Sequence, residues 1–155
     1  MDPRINPRDF YNLVPETPKA LRGLGAAVKQ SGLEASLIEL VKIRASQING
    51  CAFCLAMHTQ EARAMGESDE RMHLLSAWRE APVFSARERA ALAWTEALTR
   101  IADAPVADAI YQEARAQLSD GELANLTTAI VTINAWNRFA ISFRSIHPVS
   151  VKAAA

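Results

Sequence analysis

Several features are scarce in this chain of 155 residues, and each scarcity excludes a class of protein. No apolar run approaches the ~20 residues that a membrane-spanning helix needs, so a membrane is not an expected partner. Lys and Arg together number 17, and so do Asp and Glu, which makes the formal net charge zero. Because no basic block is available to contact phosphates, nucleic acid is not an expected partner either.

Gly and Pro are scarce between residues 33 and 147, and no run of alternating β-branched residues occurs there. Ala, Leu, Glu, Arg and Gln, which favour helices, are plentiful. The length suits one domain with a core of its own. The composition therefore predicts a single all-α domain.

The first segment of the chain is expected to be extended rather than helical. Residues 1–17 contain Pro3, Pro7 and Pro15, and proline inside a helix removes a hydrogen bond and clashes with the preceding turn. We therefore expect an N-terminal arm over residues 1–17. The segment from Met1 to Arg8 also lacks the apolar stretch of a secretory signal, so we expect the protein in the cytoplasm.

A helical domain over residues 18–148 is predicted to follow the arm, with a short tail at residues 149–155. Thr17 and Pro18 have the pattern of an N-cap followed by proline at the first helical position. Further capping residues and glycines mark the later boundaries. They predict about seven helices, near residues 18–30, 34–48, 51–65, 68–78, 86–101, 105–118 and 120–146.

The two cysteines are the most informative residues of the chain. Cys51 and Cys54 follow Gly50, and His58 comes four positions after the second cysteine. Offsets of three and four place all three side chains on one helical face. A helix N-terminus stabilises thiolate, one thiol can attack while the other closes a disulfide, and a histidine within one turn can move the proton. The spacing indicates thiol chemistry.

Two other interpretations of these residues stay open. The cysteines could be small buried side chains without any chemistry. Alternatively Cys51, Cys54 and His58 could supply three ligands to zinc, although one helix is a poor frame for tetrahedral closure and no second cysteine pair exists.

Polar residues also occur within two otherwise apolar helices. Glu39 lies in the second predicted helix, either at the edge of its apolar stripe or buried for a reason. Asn134, Asn137 and Arg138 lie in the last helix. They favour a buried hydrogen-bond network or a subunit contact over a role in facing substrate.

Glu39, eleven intervening residues, then Cys51, Cys54 and His58 form a pattern that resembles the alkyl hydroperoxidase D-like branch of the carboxymuconolactone decarboxylase family. The resemblance extends over roughly residues 15–147. It implies an all-α fold with the cysteine pair at a helix N-terminus, and a homo-oligomer that is a trimer or a hexamer. One departure is Phe53, because alkyl hydroperoxidase D has a histidine at that place.

The resemblance also implies a chemistry. Cys54 would reduce a hydroperoxide and become a sulfenic acid, and Cys51 would resolve it to a disulfide. His58 and Glu39 would form a proton relay. No bound cofactor is implied, because the electrons would come from an external thiol or from a lipoyl group on a partner protein.

The leading hypothesis is therefore a thiol-dependent alkyl hydroperoxide reductase in antioxidant defence. One alternative is a lyase similar to carboxymuconolactone decarboxylase, which does not use the cysteine pair. Another is a redox-sensing oligomer with little turnover, whose disulfide state changes its assembly.

Overall fold

The computed structural model describes residues 2–147, and within that range the secondary structure is entirely helical. The predicted all-α class and single domain are confirmed. None of the helices in this range is long and apolar enough to cross a membrane. The α-helices are α1 (Pro7–Leu13), α2 (Glu16–Lys29), α3 (Ala35–Asn49), α4 (Ala52–Ala64), α5 (Asp69–Leu74), α6 (Ala86–Thr99), α7 (Asp108–Gln117) and α8 (Asp120–Phe143), and a short 3₁₀ helix (Leu75–Ala77) follows α5.

Helix α3 lies at the centre of the domain and packs against α4, α6 and α8. Its sequence carries apolar residues on more than one face, as expected of a helix surrounded by protein. Leu40, Val41 and Ile43 are fully buried. Any polar side chain on the inward faces of α3 is consequently shielded from solvent, and this applies to Glu39.

The predicted extended arm is wrong in its second half, where α1 forms. Asn6 caps this helix by accepting a hydrogen bond from the backbone N–H of Arg8. Pro7 occupies the first turn, where a missing N–H leaves no hydrogen bond unmade, so it starts the helix instead of breaking it. The ring of Phe10 packs against that of Phe139 in α8, with centroids 4.9 Å apart. Helix α1 is thereby attached to the body of the domain.

Other predicted boundaries shift by a few residues. Helix α2 begins at Glu16, because Pro15 takes the N-cap position, and the expected cap at Thr17 is wrong. Helix α7 begins at Asp108 and not at Pro105. The predicted tail at residues 149–155 lies outside the described residues.

Two predicted capping boxes and one glycine set three further helix ends. Ser85 and Glu88 exchange hydrogen bonds at the start of α6, and Ser119 and Glu122 do so at the start of α8. Gly50 ends α3 in the left-handed conformation, with φ of 69°. Such a backbone favours glycine, which has no Cβ to clash with the following carbonyl. The turn at Gly50 brings α4 back against α3.

We expect Leu40→Ala to lower the free energy of unfolding by about 2–5 kcal/mol, because its side chain is fully buried in α3 and its removal leaves a cavity. Leu13→Ala is the matched control, since Leu13 is 69% exposed. Its effect should stay within about 0.5 kcal/mol. Urea denaturation at one protein concentration measures both. Equal losses in the two variants would contradict the central position of α3.

Candidate active site

The two cysteines lie at the N-terminus of α4, as the sequence predicts. Cys51 is the N-cap residue, and its Sγ accepts a hydrogen bond from the backbone N–H of Cys54 at 3.4 Å. Both thiols are free, and each residue is only 1% exposed. The helix N-terminus therefore directs its unpaired N–H groups at the sulfur of Cys51.

The two thiols influence the pKa of each other. A hydrogen bond from the Cys54 thiol lowers the pKa of Cys51 to about 7, assisted by backbone N–H groups and the Asn137 amide and opposed by burial. The same hydrogen bond, burial and the negative charge of Cys51 raise the pKa of Cys54 well above its ordinary value. In the singly deprotonated pair the charge is accordingly centred on Cys51.

Glu39 and His58, which come from α3 and α4, are in direct contact. Nδ1 of His58 lies 2.8 Å from Oε2 of Glu39, and the ammonium of Lys42 lies 2.6 Å from Oε1 of the same carboxylate. Burial pushes the pKa of Glu39 upward, but the hydrogen bond and charge of His58 and the charge of Lys42 outweigh it, so this pKa lies below its ordinary value. The buried carboxylate is thus ionised and fully paired.

A second carboxylate, which the sequence analysis did not select, also reaches His58. Oε2 of Glu61 lies 3.2 Å from Nδ1, and the Glu61 side chain is 42% exposed. Its offset of three from His58 on α4 is a signal that could have identified it. Within residues 2–147, every hydrogen bond of His58 uses Nδ1 and none reaches a sulfur. The other ring nitrogen, Nε2, is consequently left for a ligand or water.

A cavity of about 440 Å³ adjoins the site, a size typical of small-molecule pockets. Cys54, His58 and Glu61 line it, whereas Cys51 does not. Most of the wall is apolar and comes from α1, α2, α4 and α8. Its larger side chains are Phe10, Tyr11, Leu21, Phe53, Met57, Ile133, Trp136, Phe139 and Phe143. A molecule that enters this cavity meets Cys54 and not Cys51.

A buried amide network from α8 supports the thiols from the side away from the cavity, which confirms the predicted hydrogen-bond network. Asn49 donates to Asn137 at 2.8 Å and to Asn134 at 2.9 Å. Asn137 is fully buried, donates to Ser46 at 3.1 Å, and lies beside both sulfurs, where it lowers the pKa of each thiol. Its position close to the cysteines is the part that the sequence analysis missed.

One of the two residues between the cysteines, Phe53, contributes apolar surface. Phe53 is half-buried, lines the cavity and packs edge-on against the imidazole of His147, with ring centroids 5.4 Å apart. Its ring can exclude water from the neighbouring thiols, but it cannot move a proton.

Among the described residues, one group has ligand atoms close enough together to hold a metal ion. It consists of Glu39, His58 and Glu61, whose ligand atoms lie within 4.8 Å of one another. The zinc set considered from the sequence, Cys51, Cys54 and His58, is not brought together at such distances within residues 2–147. In this group, Glu39 and His58 are already hydrogen-bonded to each other, and the ammonium of Lys42 neutralises the carboxylate of Glu39.

The fold and the site define an all-α protein with a buried dithiol at a helix N-terminus, next to a paired glutamate and histidine and open to an apolar cavity. Residues 15–97 match the model of the carboxymuconolactone decarboxylase family, and the chain belongs to that family. The uncharacterized protein YdfG of Bacillus subtilis is 40% identical over 133 residues, covering 86% of this chain and 90% of its own.

Solved structures show the same fold. A protein of unknown function from Agrobacterium tumefaciens, provisionally named the antioxidant defence protein AhpD, matches with a TM-score of 0.90 and 46% identity, over 96% of this chain and 100% of its own. An uncharacterized peroxidase-related protein from Silicibacter matches with a TM-score of 0.78 and 23% identity, over 89% of this chain and 73% of its own. The first supports the alkyl hydroperoxidase D-like branch, and the second supports the fold alone.

Replacing Cys54 tests the hydrogen bond that lowers the pKa of Cys51. Cys54→Ala removes the donor, so this pKa should rise from about 7 toward its ordinary value. Cys54→Ser keeps a hydroxyl donor and should raise it less. Cys51 is the only cysteine in either variant, so the ultraviolet absorbance of its thiolate against pH reports it directly. No rise in the Cys54→Ala variant would show that the side chain at position 54 is not the donor.

Proposed function

We propose that this protein is a thiol-dependent hydroperoxide reductase that acts on alkyl hydroperoxides in antioxidant defence. The observation that carries the proposal is the position of Cys54, which lines the cavity, whereas Cys51 does not line it and has a thiolate-stabilising environment. The contact between Glu39 and His58 adds a means of moving protons. The family and the Agrobacterium relative support the same chemistry.

In the first step, Cys54 passes its proton to Cys51 across their hydrogen bond and becomes the thiolate. It attacks the terminal oxygen of the hydroperoxide, so that a sulfur–oxygen bond forms and the oxygen–oxygen bond breaks. Protonated His58 gives a proton to the departing alkoxide, which leaves as the alcohol. Cys54 is thereby oxidised to a sulfenic acid, and the peroxide is reduced by two electrons.

In the second step, Cys51 releases the proton that it received from Cys54, and neutral His58 takes it up. The Cys51 thiolate attacks the sulfur of Cys54, a disulfide forms, and hydroxide leaves and is protonated by His58 to water. Glu39 holds Nδ1 throughout, which keeps Nε2 directed at the reacting atoms and stabilises the imidazolium. Cys51 is thus suited to resolve the sulfenic acid because its environment favours its own thiolate.

Two electrons from outside the chain complete the cycle. We propose that an external dithiol, either a small thiol or a lipoyl group on a partner protein, reduces the disulfide, and that no bound cofactor takes part. We also propose that the protein works as a homo-oligomer, a trimer or a hexamer. These statements rest on the family resemblance and on the exposed apolar residues of α8, such as Val131 and Ile141.

Each of the two alternative functions predicts a result that the reductase does not. A lyase similar to carboxymuconolactone decarboxylase would decarboxylate a γ-lactone acid even with both cysteines replaced by serine. A redox-sensing oligomer would change its size on oxidation, visible by size-exclusion chromatography, while it consumed negligible peroxide. The buried dithiol, together with the ionised carboxylate of Glu39 and the imidazole of His58, favours the reductase over both the lyase and the redox sensor.

We expect Cys54→Ser to abolish the consumption of an alkyl hydroperoxide with dihydrolipoamide as reductant. Cys51→Ser should still reduce about one equivalent of peroxide per subunit and then stall as the sulfenic acid, but more slowly than wild type, because the attacking sulfur is intact while the group that takes its proton is lost. Measurement of the remaining peroxide at fixed times, and mass spectrometry of the oxidised protein, detect these two effects. If Cys54→Ser keeps the first equivalent and Cys51→Ser loses it, the two roles are reversed.

We expect Glu39→Gln to lower kcat/KM for peroxide by roughly tenfold or more, because an amide neither fixes the imidazole as firmly nor stabilises its charge. The exposed Glu16 provides a control, and Glu16→Gln should leave the rate unchanged. A rate in Glu39→Gln equal to wild type, with equal thermal stability, would remove Glu39 from the relay.

In the wild type the rate of peroxide reduction should rise with pH through about 7, as the cysteine pair loses its proton.

A further inference from the structure

Two cations stand at the rim of the apolar cavity. Arg22 and Lys29 both line it from α2, and both are exposed. They are separated by seven positions, so two turns of helix bring them to one face, with Gly25 between them. A Cβ at Gly25 would meet no atom within 4 Å, so the space beside this residue is open.

These two positive charges are free of carboxylates. Within residues 2–147, neither Arg22 nor Lys29 takes part in an ion pair, and Arg22 instead rests over the ring of Tyr11 at 5.2 Å. The other charged side chains of the cavity already have partners. Lys42 is paired with Glu39, and Glu61 contacts His58. The rim therefore carries an uncompensated positive potential.

The remainder of the cavity is suited to a hydrocarbon. Its walls are aromatic and aliphatic side chains such as Phe139, Trp136 and Ile133, and Cys54 lies among these lining residues. A small polar peroxide would leave most of this surface in contact with water. A ligand with a long apolar body would bury it, at roughly 25 cal/mol for each Å² removed from water.

We propose that the substrates are amphipathic anionic hydroperoxides, of the class of fatty-acid hydroperoxides. The apolar chain occupies the cavity, the hydroperoxide group meets Cys54, and the carboxylate lies between Arg22 and Lys29 at the rim. The assignment of a hydroperoxide rests on the proposed function, whereas the preference for an apolar anion rests on the cavity alone. Because the rim charges are exposed, this preference should weaken as salt is added.

Binding of a ligand without a peroxide group tests the anion site independently of turnover. Isothermal titration calorimetry of the full chain compares decanoate with decanol, which share the apolar chain and differ in charge. We expect Arg22→Gln with Lys29→Gln to weaken decanoate binding by roughly threefold to tenfold, the range for losing two exposed charge contacts, and to leave decanol unchanged. Lys19→Gln is the control, since Lys19 lies on α2 outside the cavity.

Failure to bind decanoate in the wild type, or equal binding by the double variant, would overturn the proposal. So would an equal loss of decanol binding, because that result would indicate a change in the cavity and not in its charge.

A second measurement joins the site to the reaction. The wild type should show a higher kcat/KM for linoleate hydroperoxide than for its methyl ester, and the double variant should lose that difference while it keeps its rate with the ester. Equal rates for acid and ester in the wild type would overturn the proposal. If neither hydroperoxide is consumed but decanoate binds selectively, the reductase proposal fails and the apolar anion site stands.

Discussion

The hydrogen bond between Glu39 and His58 is the interaction on which the rest of the site depends. It joins α3 to α4 across the turn at Gly50, in a place where both residues are almost fully buried. A lone carboxylate there would cost several kcal/mol, and the ammonium of Lys42 together with the imidazole offsets that cost. Once α4 is fixed in this way, Cys54 faces the cavity and Cys51 faces the amide network.

The two cysteines differ because of their positions on α4, although their spacing alone would make them look equivalent. Cys51 is the N-cap and receives the backbone N–H of Cys54, so its anion is favoured. Cys54 lies one turn further along, where it has access to the cavity but a thiol that holds its proton more tightly. The sulfur that a substrate can reach is therefore not the more acidic one. A reaction at Cys54 has to draw its negative charge from Cys51 through their hydrogen bond, which makes the pair a single functional unit.

The parts of the molecule that the sequence predicts well are those with local signals. Capping boxes, the glycine at position 50 and the placement of Cys51 and Cys54 at a helix start each depend on residues within about one turn, and the structure contains all of them. Helix α1 was missed because Pro7 can start a helix as well as break one, and the choice depends on Phe10 packing against α8. Pairings between distant segments, such as Asn137 with Ser46, 91 positions away, carry no local signal at all.

The apolar wall of the cavity and the hydrogen-bonded polar residues beside it depend on each other. A wall of aromatic side chains lowers the local dielectric constant, which strengthens the hydrogen bonds around Cys51 and His58 and penalises any charge left unpaired. The carboxylate of Glu39 and the amide of Asn137 are accordingly buried with complete sets of partners. Because Phe10 of α1 contributes to that wall, the N-terminal segment belongs to the site as much as α4 does. A change that detaches α1 would admit water to the thiols and weaken the electrostatic coupling between them without altering any residue that touches a sulfur.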